Sequence, residues 1–238
     1  WMTTGDPGFD VWGMDVARYG DWTTPAYTRA KVQENYSRRF RISFPNEELP
    51  AGRPLFTSPI HGRLTDANAV WGAYYGLETA MWFQRPGQDP VEDVTFRRSN
   101  AFEVVADEVR AVREGVGMIE TTGFAKHEFT GSAARTFLDR VMANRIPAEG
   151  RMALTPMLNH QGMLIGDFTV AAVPTALGDD ERFLVLGSGI ADGYHERWFR
   201  DHLTDFGDGV PYRSRGNELT GLSIAGPSSR ALLASVAE

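Results

Sequence analysis

The chain contains no cysteine among its 238 residues. Disulfide bonds, thiolate metal sites and a cysteine nucleophile are therefore excluded. A basic excess is also missing, since 24 Lys and Arg stand against 31 Asp and Glu, which gives a net charge of −7. Because surfaces that bind duplex nucleic acid are typically basic, we expect no nucleic-acid partner.

Long apolar runs are absent as well. No stretch approaches the ~20 apolar residues that cross a bilayer, and no basic segment followed by an apolar one marks a secretory signal near the start. The first residue is Trp1 rather than methionine. We therefore expect a piece of a longer soluble protein with no membrane partner. Its expected location is the bacterial cytoplasm or, in a eukaryote, the mitochondrial matrix.

Several cofactor and catalytic motifs are not found. Gly115-Val116-Gly117 and Gly187-Ser188-Gly189 lack the third glycine of a dinucleotide fingerprint and the Lys-Ser/Thr of a phosphate loop. No Gly-x-Ser-x-Gly elbow of a serine hydrolase occurs. The five histidines show no metal-site spacing, so no metal is predicted; they are His61, His127, His160, His195 and His202.

The residues that are present predict an ordinary globular protein, with 42% hydrophobic and 23% charged residues. Apolar periodicity predicts helices over Tyr27 to Phe40, Ile60 to Leu64, Val104 to Val116, Ser132 to Asn144, Asp192 to Leu203 and Pro227 to Val236. Strands are predicted over Phe124 to Thr130, Met152 to Leu158, Met163 to Val173, Arg182 to Leu186 and Leu219 to Ala225. This mixed order indicates an α+β fold, with mixed or antiparallel sheets and flanking helices, rather than a doubly wound sheet.

Two finer expectations follow from the pattern. Gln84 to Val91 holds two prolines and a glycine, so it is the best linker candidate and divides residues 1–90 from residues 91–238. In the Ser132 to Asn144 helix, four apolar residues share one face, which we expect to be buried. They are Phe137, Leu138, Val141 and Met142.

The stretch from Arg151 to Val173 holds the most informative carboxylate. Two apolar runs flank the tetrad Asn159-His160-Gln161-Gly162, which has the chemistry of a β-hairpin turn. Asp167 lies in the middle of the second run, where aspartate is disfavoured. A buried carboxylate at this position must be paired, hydrogen-bonded or functional. The alternative is a solvated aspartate on an outward face or one tied to a loop amide, and the sequence leaves both open.

Several motifs, in order along the chain, resemble the aminomethyltransferase (T-protein) family of the glycine cleavage system. They are Gly117-Met118-Ile119-Glu120, Phe129-Thr130-Gly131, Phe137-Leu138-Asp139-Arg140 with Ala143-Asn144, Met157-Leu158-Asn159 with Gly162 and Asp167, and Leu222 to Leu232. The resemblance spans about Ala101 to Glu238. It implies that residues 91–238 form the N-terminal part of a T-protein-like folate-binding domain, incomplete at its C-terminus.

The upstream segments resemble a more specific group of enzymes. Asp10-Val11-Trp12-Gly13-Met14-Asp15, Arg53-Pro54-Leu55 with Thr57-Ser58-Pro59, and Gly76 to Phe83 are similar to the region between the flavin and folate modules of dimethylglycine and sarcosine dehydrogenases. The resemblance implies that residues 1–90 are the tail of a flavin-oxidoreductase module and its connection. In that family an FAD module oxidises an N-methyl group, and tetrahydrofolate captures the carbon as 5,10-methylene-tetrahydrofolate. The glycine motif for FAD would lie upstream of Trp1.

The same resemblance suggests individual site residues. Asp167 matches the second of the family's paired acids and is the expected catalytic residue, in contact with folate and its proton. Gly166 replaces the first acid, and Met163 replaces the motif's second glycine. The expected folate-contacting residues are Asp167, Leu154, where the family commonly has tyrosine, Phe124, at an apolar pocket position, Met157 and Asn159.

The leading hypothesis is therefore a fragment of a flavin- and tetrahydrofolate-dependent oxidative N-demethylase of the dimethylglycine or sarcosine type, expected to be inactive alone. Its partners are a small N-methylated amine, folate and the remainder of the same polypeptide. Two alternatives stay open: a non-catalytic folate-binding or assembly module of the same fold, and a folate-dependent aminomethyl- or methyltransferase without flavin.

Overall fold

The computed structural model describes residues 8–20, 22–176 and 180–237. Within them, helices α1 to α6 cover Pro25–Ser37, His61–Asp66, Ala101–Glu114, Ala134–Val141, Asp192–Leu203 and Ser229–Val236. Strands β1 to β9 cover Ala69–Tyr74, Leu77–Phe83, Gly117–Glu120, Ala125–Thr130, Met152–Leu158, Leu164–Val173, Arg182–Gly187, Tyr212–Ser214 and Leu222–Ala225. The named strands pair antiparallel, which confirms the predicted α+β class. None of the described helices has the length and apolar character to cross a membrane.

The described residues group into two compact units. One lies within Trp1–Asp21 and Phe124–Leu219, and the other within Trp22–Gly123 and Thr220–Glu238. The predicted linker, residues 84–91, lies inside the second unit. There the Asn68 side-chain amide donates hydrogen bonds to the main-chain oxygens of Gln84, Arg85 and Gln88 at 3.3, 3.1 and 2.9 Å. The division after residue 90 into two functional domains stays a prediction.

In the second unit, β1 and β2 form a hairpin closed by a two-residue turn. Tyr74 pairs with Leu77, and the residues between them have positive φ angles, 48° at Tyr75 and 84° at Gly76. Two positive φ angles match the twist of the flanking strands. A side chain at Gly76 would lie 2.8 Å from the Phe56 ring, so close packing as well as the turn requires glycine.

An ion pair fixes the chain before this hairpin. Arg53 donates from Nε and from a terminal nitrogen to the two carboxylate oxygens of Glu78, at 2.9 and 2.7 Å. Glu78 is buried, with 4% of its surface exposed. A two-point guanidinium–carboxylate pair is geometrically specific, so it holds the segment next to Arg53 against β2.

The first unit is built on a five-stranded sheet with the order β5-β6-β7-β4-β8. One face carries the core, in which strand residues such as Phe168 and Phe183 pack with helix residues such as Leu138 and Phe199. In α4 and at the residue that follows it, the four residues of the predicted buried face are 0%, 0%, 8% and 5% exposed. They are Phe137, Leu138, Val141 and Met142, so that prediction is confirmed.

Two histidines lie in the same core. His127 in β4 is completely buried, and its Nδ1 is 2.9 Å from the Tyr212 hydroxyl. Burial and, to a smaller extent, His195 lower the pKa of His127 to about 3. The ring is therefore neutral, and the 3.7 Å approach of its Nε2 to Asp192 is not an ion pair.

Replacing Leu138 by alanine is expected to lower the free energy of unfolding by ~2–5 kcal/mol, because the truncation leaves a cavity in the core. Chemical denaturation measures the change. Leu154→Ala is the matched control, since Leu154 is 74% exposed and its truncation should change stability by ~0.5 kcal/mol or less. Equal effects in the two variants would contradict the assignment of the buried face.

His127 should make the fold sensitive to acid. Between pH 6.5 and about 3 the unfolded chain binds a proton on this histidine and the folded chain does not, so stability should fall as the pH drops through that window. One proton corresponds to a slope of about 1.4 kcal/mol per pH unit. The measurement is denaturant unfolding at a series of pH values. His127→Gln should flatten the slope, whereas replacement of the exposed His160 by glutamine should leave it; an unchanged slope in His127→Gln would refute this expectation.

Candidate functional site

The β5–β6 hairpin forms as the sequence predicts. The Asn159 side-chain oxygen accepts hydrogen bonds from the main-chain amides of Gln161 and Met163, at 3.0 and 2.9 Å. Gly162 takes a φ of 77°, which its lack of a Cβ permits. The Asn159 oxygen is thus engaged inside the turn, and only its amide nitrogen is left to face a ligand.

Asp167 lies on the outward face of the sheet. Alternate residues of β6, Phe168 and Val170, are buried in the core, whereas Asp167 is exposed. No described residue donates a hydrogen bond to its carboxylate. The expectation of a buried carboxylate is therefore wrong, and the alternative of an outward-facing aspartate is correct. The reason is that apolar residues occupy both faces of β6, so the pattern alone did not reveal which face is the core.

Apolar residues of β5 lie next to Asp167 on the outward face. Asp167 is paired in register with Pro156, and the neighbouring pair on the same face is Thr169 with Leu154. Leu154 is 74% exposed. Further exposed apolar residues lie along the hairpin: Met152, Leu158, Met163 and Leu164. Several exposed apolar residues on one hairpin are a feature of binding sites.

Phe124 directly precedes β4 in the same unit. It is 53% exposed, and its carbonyl oxygen accepts a hydrogen bond from the Lys126 ammonium at 2.9 Å. Lys126 is paired with Leu186, and Leu186 with Thr169. The registers therefore place Phe124 and Asp167 at the same end of the sheet.

Met157 does not fit its predicted role as a direct ligand contact. Its side chain is 0% exposed and belongs to the core on the opposite face from Asp167. Alternation along β5 explains the placement, since Met157 points inward and its neighbours Pro156 and Leu158 do not. The motif that contains Met157 thus contributes packing at this position.

His195 in α5 is a neighbour of the site that the sequence pattern did not single out. Its Nε2 is 3.2 Å from the main-chain oxygen of Ile165, two residues before Asp167. Gly166 leaves room for the ring, because a Cβ at that position would lie 2.5 Å from Nε2. The one sequence signal is Gly166 itself, a glycine in mid-strand, which often marks close approach of another group.

Burial shifts the pKa values of two titratable groups near Asp167. Burial lowers the pKa of His195, and the hydrogen bond to Ile165 and the Asp167 charge oppose that shift only in part. Burial, followed by the Glu196 charge, raises the pKa of Asp192. Among the described residues, no group of three or more His, Asp or Glu could hold a metal ion.

This arrangement combines two features that ligand-binding surfaces use. The exposed apolar face offers contact area, and the Asp167 carboxylate can accept charge-assisted hydrogen bonds. The same carboxylate can accept and return a proton at a bound ligand.

The sequence matches two known protein families. Residues 60–238 match the family described as the GCVT N-terminal domain, and residues 4–58 match the FAD dependent oxidoreductase central domain. The two matches follow each other along the chain, in the order that the motifs suggest.

Named relatives agree with these matches. The chain is 34% identical to mitochondrial dimethylglycine dehydrogenase of Rattus norvegicus over 98% of its length, which is 27% of that protein. It is 35% identical to a formaldehyde-forming 4-methylaminobutanoate oxidase of Paenarthrobacter nicotinovorans over 78% of its length and 22% of the relative. The chain thus spans about a quarter of the length of these relatives.

A solved structure has the same fold. Aminomethyltransferase T of the glycine cleavage system from Bartonella henselae superposes with a TM-score of 0.58 at 16% sequence identity, covering 76% of this chain and 43% of that one. This likeness concerns the fold alone. Since the GCVT match covers most of the sequence, the chain belongs to the GCVT N-terminal domain family.

Proposed function

We propose that this chain is part of a flavin- and tetrahydrofolate-dependent oxidative N-demethylase of the dimethylglycine or sarcosine type. The support is the order of the two family matches, an FAD-oxidoreductase segment followed by a GCVT segment. A dimethylglycine dehydrogenase and a sarcosine dehydrogenase each align over nearly the whole chain.

The observation that carries the folate assignment is the exposed Asp167 carboxylate on an apolar face of the sheet. Tetrahydrofolate has a flat pyrimidine ring fused to a reduced ring, with N–H donors on both, and no described residue already occupies the Asp167 oxygens with a donor. Leu154 supplies apolar contact next to the carboxylate in place of an aromatic ring. Asp167 and Leu154 are therefore compatible with tetrahydrofolate as the ligand.

In this proposal Asp167 is the catalytic residue. Tetrahydrofolate, when bound, supplies the amine nitrogens that take up the one-carbon unit. The Asp167 carboxylate orients the ring by accepting its N–H donors, and it holds or returns the proton that moves during capture. Leu154 and Phe124 exclude water from the same end of the sheet, and the Asn159 amide nitrogen is the remaining polar contact.

The proposal extends to substrate, partners and location. The substrate is a small N-methylated amine, and the remainder of the same polypeptide provides the flavin site, because residues 4–58 match only the central domain of an FAD dependent oxidoreductase. The mammalian relatives are mitochondrial by name. We therefore assign a matrix location in a eukaryote and a cytoplasmic one in a bacterium.

The isolated 238-residue chain is expected to be colourless after purification. None of its residues is assigned to flavin, so it should show no flavin absorption band in the visible range. The control is the same purification after addition of free FAD and gel filtration, which should also leave the chain without colour. A yellow chain with a bound flavin spectrum would contradict this assignment.

Asp167→Asn in the full polypeptide is expected to separate the two halves of the reaction. The variant keeps the size of the side chain but loses its charge, so methylene-tetrahydrofolate formation should fall by ~10²–10⁴-fold, the range for a general acid or base. Flavin reduction by the amine should continue, and free formaldehyde should rise because uncaptured iminium hydrolyses. Product assays with and without tetrahydrofolate measure both quantities.

The matched control for this experiment is Asp208→Asn, which alters an exposed acid of the same unit that the proposal does not use. It should leave the product ratio unchanged. A folded Asp167→Asn enzyme with the normal methylene-tetrahydrofolate yield would rule out the catalytic assignment. A variant with lower stability and a normal product ratio would instead make Asp167 a structural residue.

A further inference from the structure

The part of β6 that carries Asp167 extends past its neighbour on one side. The main-chain groups of Ala172 are bonded on the β5 side, to Arg151 and Gly150, at 3.0 and 2.8 Å. Since successive residues of a strand direct their main-chain groups to opposite sides, the odd-numbered residues of β6 face β7. The last β6–β7 pair toward the hairpin turn is Thr169 with Leu186. Ile165 and Asp167 therefore lie where β7 no longer supplies partners.

His195 supplies one of the missing partners. Its Nε2 is 3.2 Å from the Ile165 oxygen, and the histidine is 2% exposed. A carbonyl oxygen only accepts, so Nε2 carries the hydrogen and donates it. Nδ1 is buried and has no hydrogen-bond partner among the described residues, which agrees with a neutral ring protonated on Nε2.

Two glycines form the slot that admits this ring. A Cβ at Gly166 would lie 2.5 Å from Nε2 and 3.0 Å from Cε1 of His195. A Cβ at Gly187, the last residue of β7, would lie 3.5 Å from Nδ1 and 2.6 Å from the Phe168 ring. The Phe168 ring packs against the imidazole with centroids 4.6 Å apart. The ring is thus fixed on several sides, and its single hydrogen bond is directed at β6.

We propose that His195 is a positioning residue for Asp167. It holds the end of β6 that β7 does not reach, through the Ile165 carbonyl, and so sets the direction of the carboxylate. The inference rests on the proposed function of Asp167. Because a displacement of ~1 Å in a reacting group can cost about 10²-fold in rate, a single main-chain hydrogen bond two residues away matters for capture.

A purely space-filling role predicts a different response to substitution. His195→Phe keeps an aromatic ring of similar size in the slot but removes the donor. His195→Gln keeps an N–H near the position of Nε2 and fills less of the slot. If only packing matters, phenylalanine should be the better replacement; if the hydrogen bond to Ile165 matters, glutamine should be.

The test uses the full polypeptide and measures methylene-tetrahydrofolate formation, flavin reduction and the free energy of unfolding. We expect His195→Phe to lower capture by about 10–10²-fold with flavin reduction unchanged, and His195→Gln to restore most of it. In an Asp167→Asn background, His195→Phe should cause no further loss, because the two residues act in one step. His127→Phe is the control: its ring lies in the same core, 6.2 Å from that of His195, so it should alter stability but not the product ratio.

The outcomes distinguish the positioning role of His195 from the proposed function of Asp167. Normal capture in His195→Phe, with capture lost in Asp167→Asn, overturns the positioning role and leaves the proposed function standing. Normal capture in Asp167→Asn overturns the proposed function, and the positioning role with it. If His195→Phe does not fold, the ¹⁵N resonances of the wild-type imidazole decide: protonated Nε2 with unprotonated Nδ1 supports the inference, and the opposite tautomer overturns it.

Discussion

The two-residue alternation of side chains along β6 is the constraint on which the site depends. Phe168 and Val170 must point into the core of the first unit, and this fixes Asp167 on the other face. Pairing with β5 then brings Pro156 and Leu154 beside the carboxylate. A slip of one residue in this register would exchange the faces, burying an aspartate and exposing a phenylalanine. The energy of the aromatic core therefore also determines the placement of the site.

Much of the first unit could be predicted because α4 has one apolar face. The buried face of α4 and the limits of α5 follow from spacing alone, and the β5–β6 turn follows from Asn159 and Gly162. The hairpin β1–β2 could not be predicted, since Ala69, Val70, Ala73 and Tyr74 are spaced as readily for a helix. Its decisive feature is the pair of positive φ angles at Tyr75 and Gly76. Because tyrosine rarely adopts a positive φ angle, the sequence does not indicate this turn.

The candidate site was predictable only in part. Resemblance led to Asp167 and Leu154, which lie in neighbouring pairs on one face of the sheet. It also led to Met157, which is buried because alternate residues of β5 point into the core. Which residues of β5 point inward depends on which face of the sheet α4 and α5 cover, and no local sequence pattern contains this information. His195 is 30 residues from Ile165 in the chain, so their contact exists only in the folded molecule.

Gly166 connects the unusual sequence of this chain with its chemistry. Where the resembling family has a first acid, this chain has a residue without a side chain, and the space beneath it is filled by a neutral imidazole. Two adjacent carboxylates on one strand would require a counter-charge or donor on each face, at a cost in desolvation for the inward one. With glycine, the inward requirement disappears, and an N–H donor supports the main chain instead. The strand then carries a single anion on its exposed face, so any proton handled at this part of the sheet has one carboxylate to receive it.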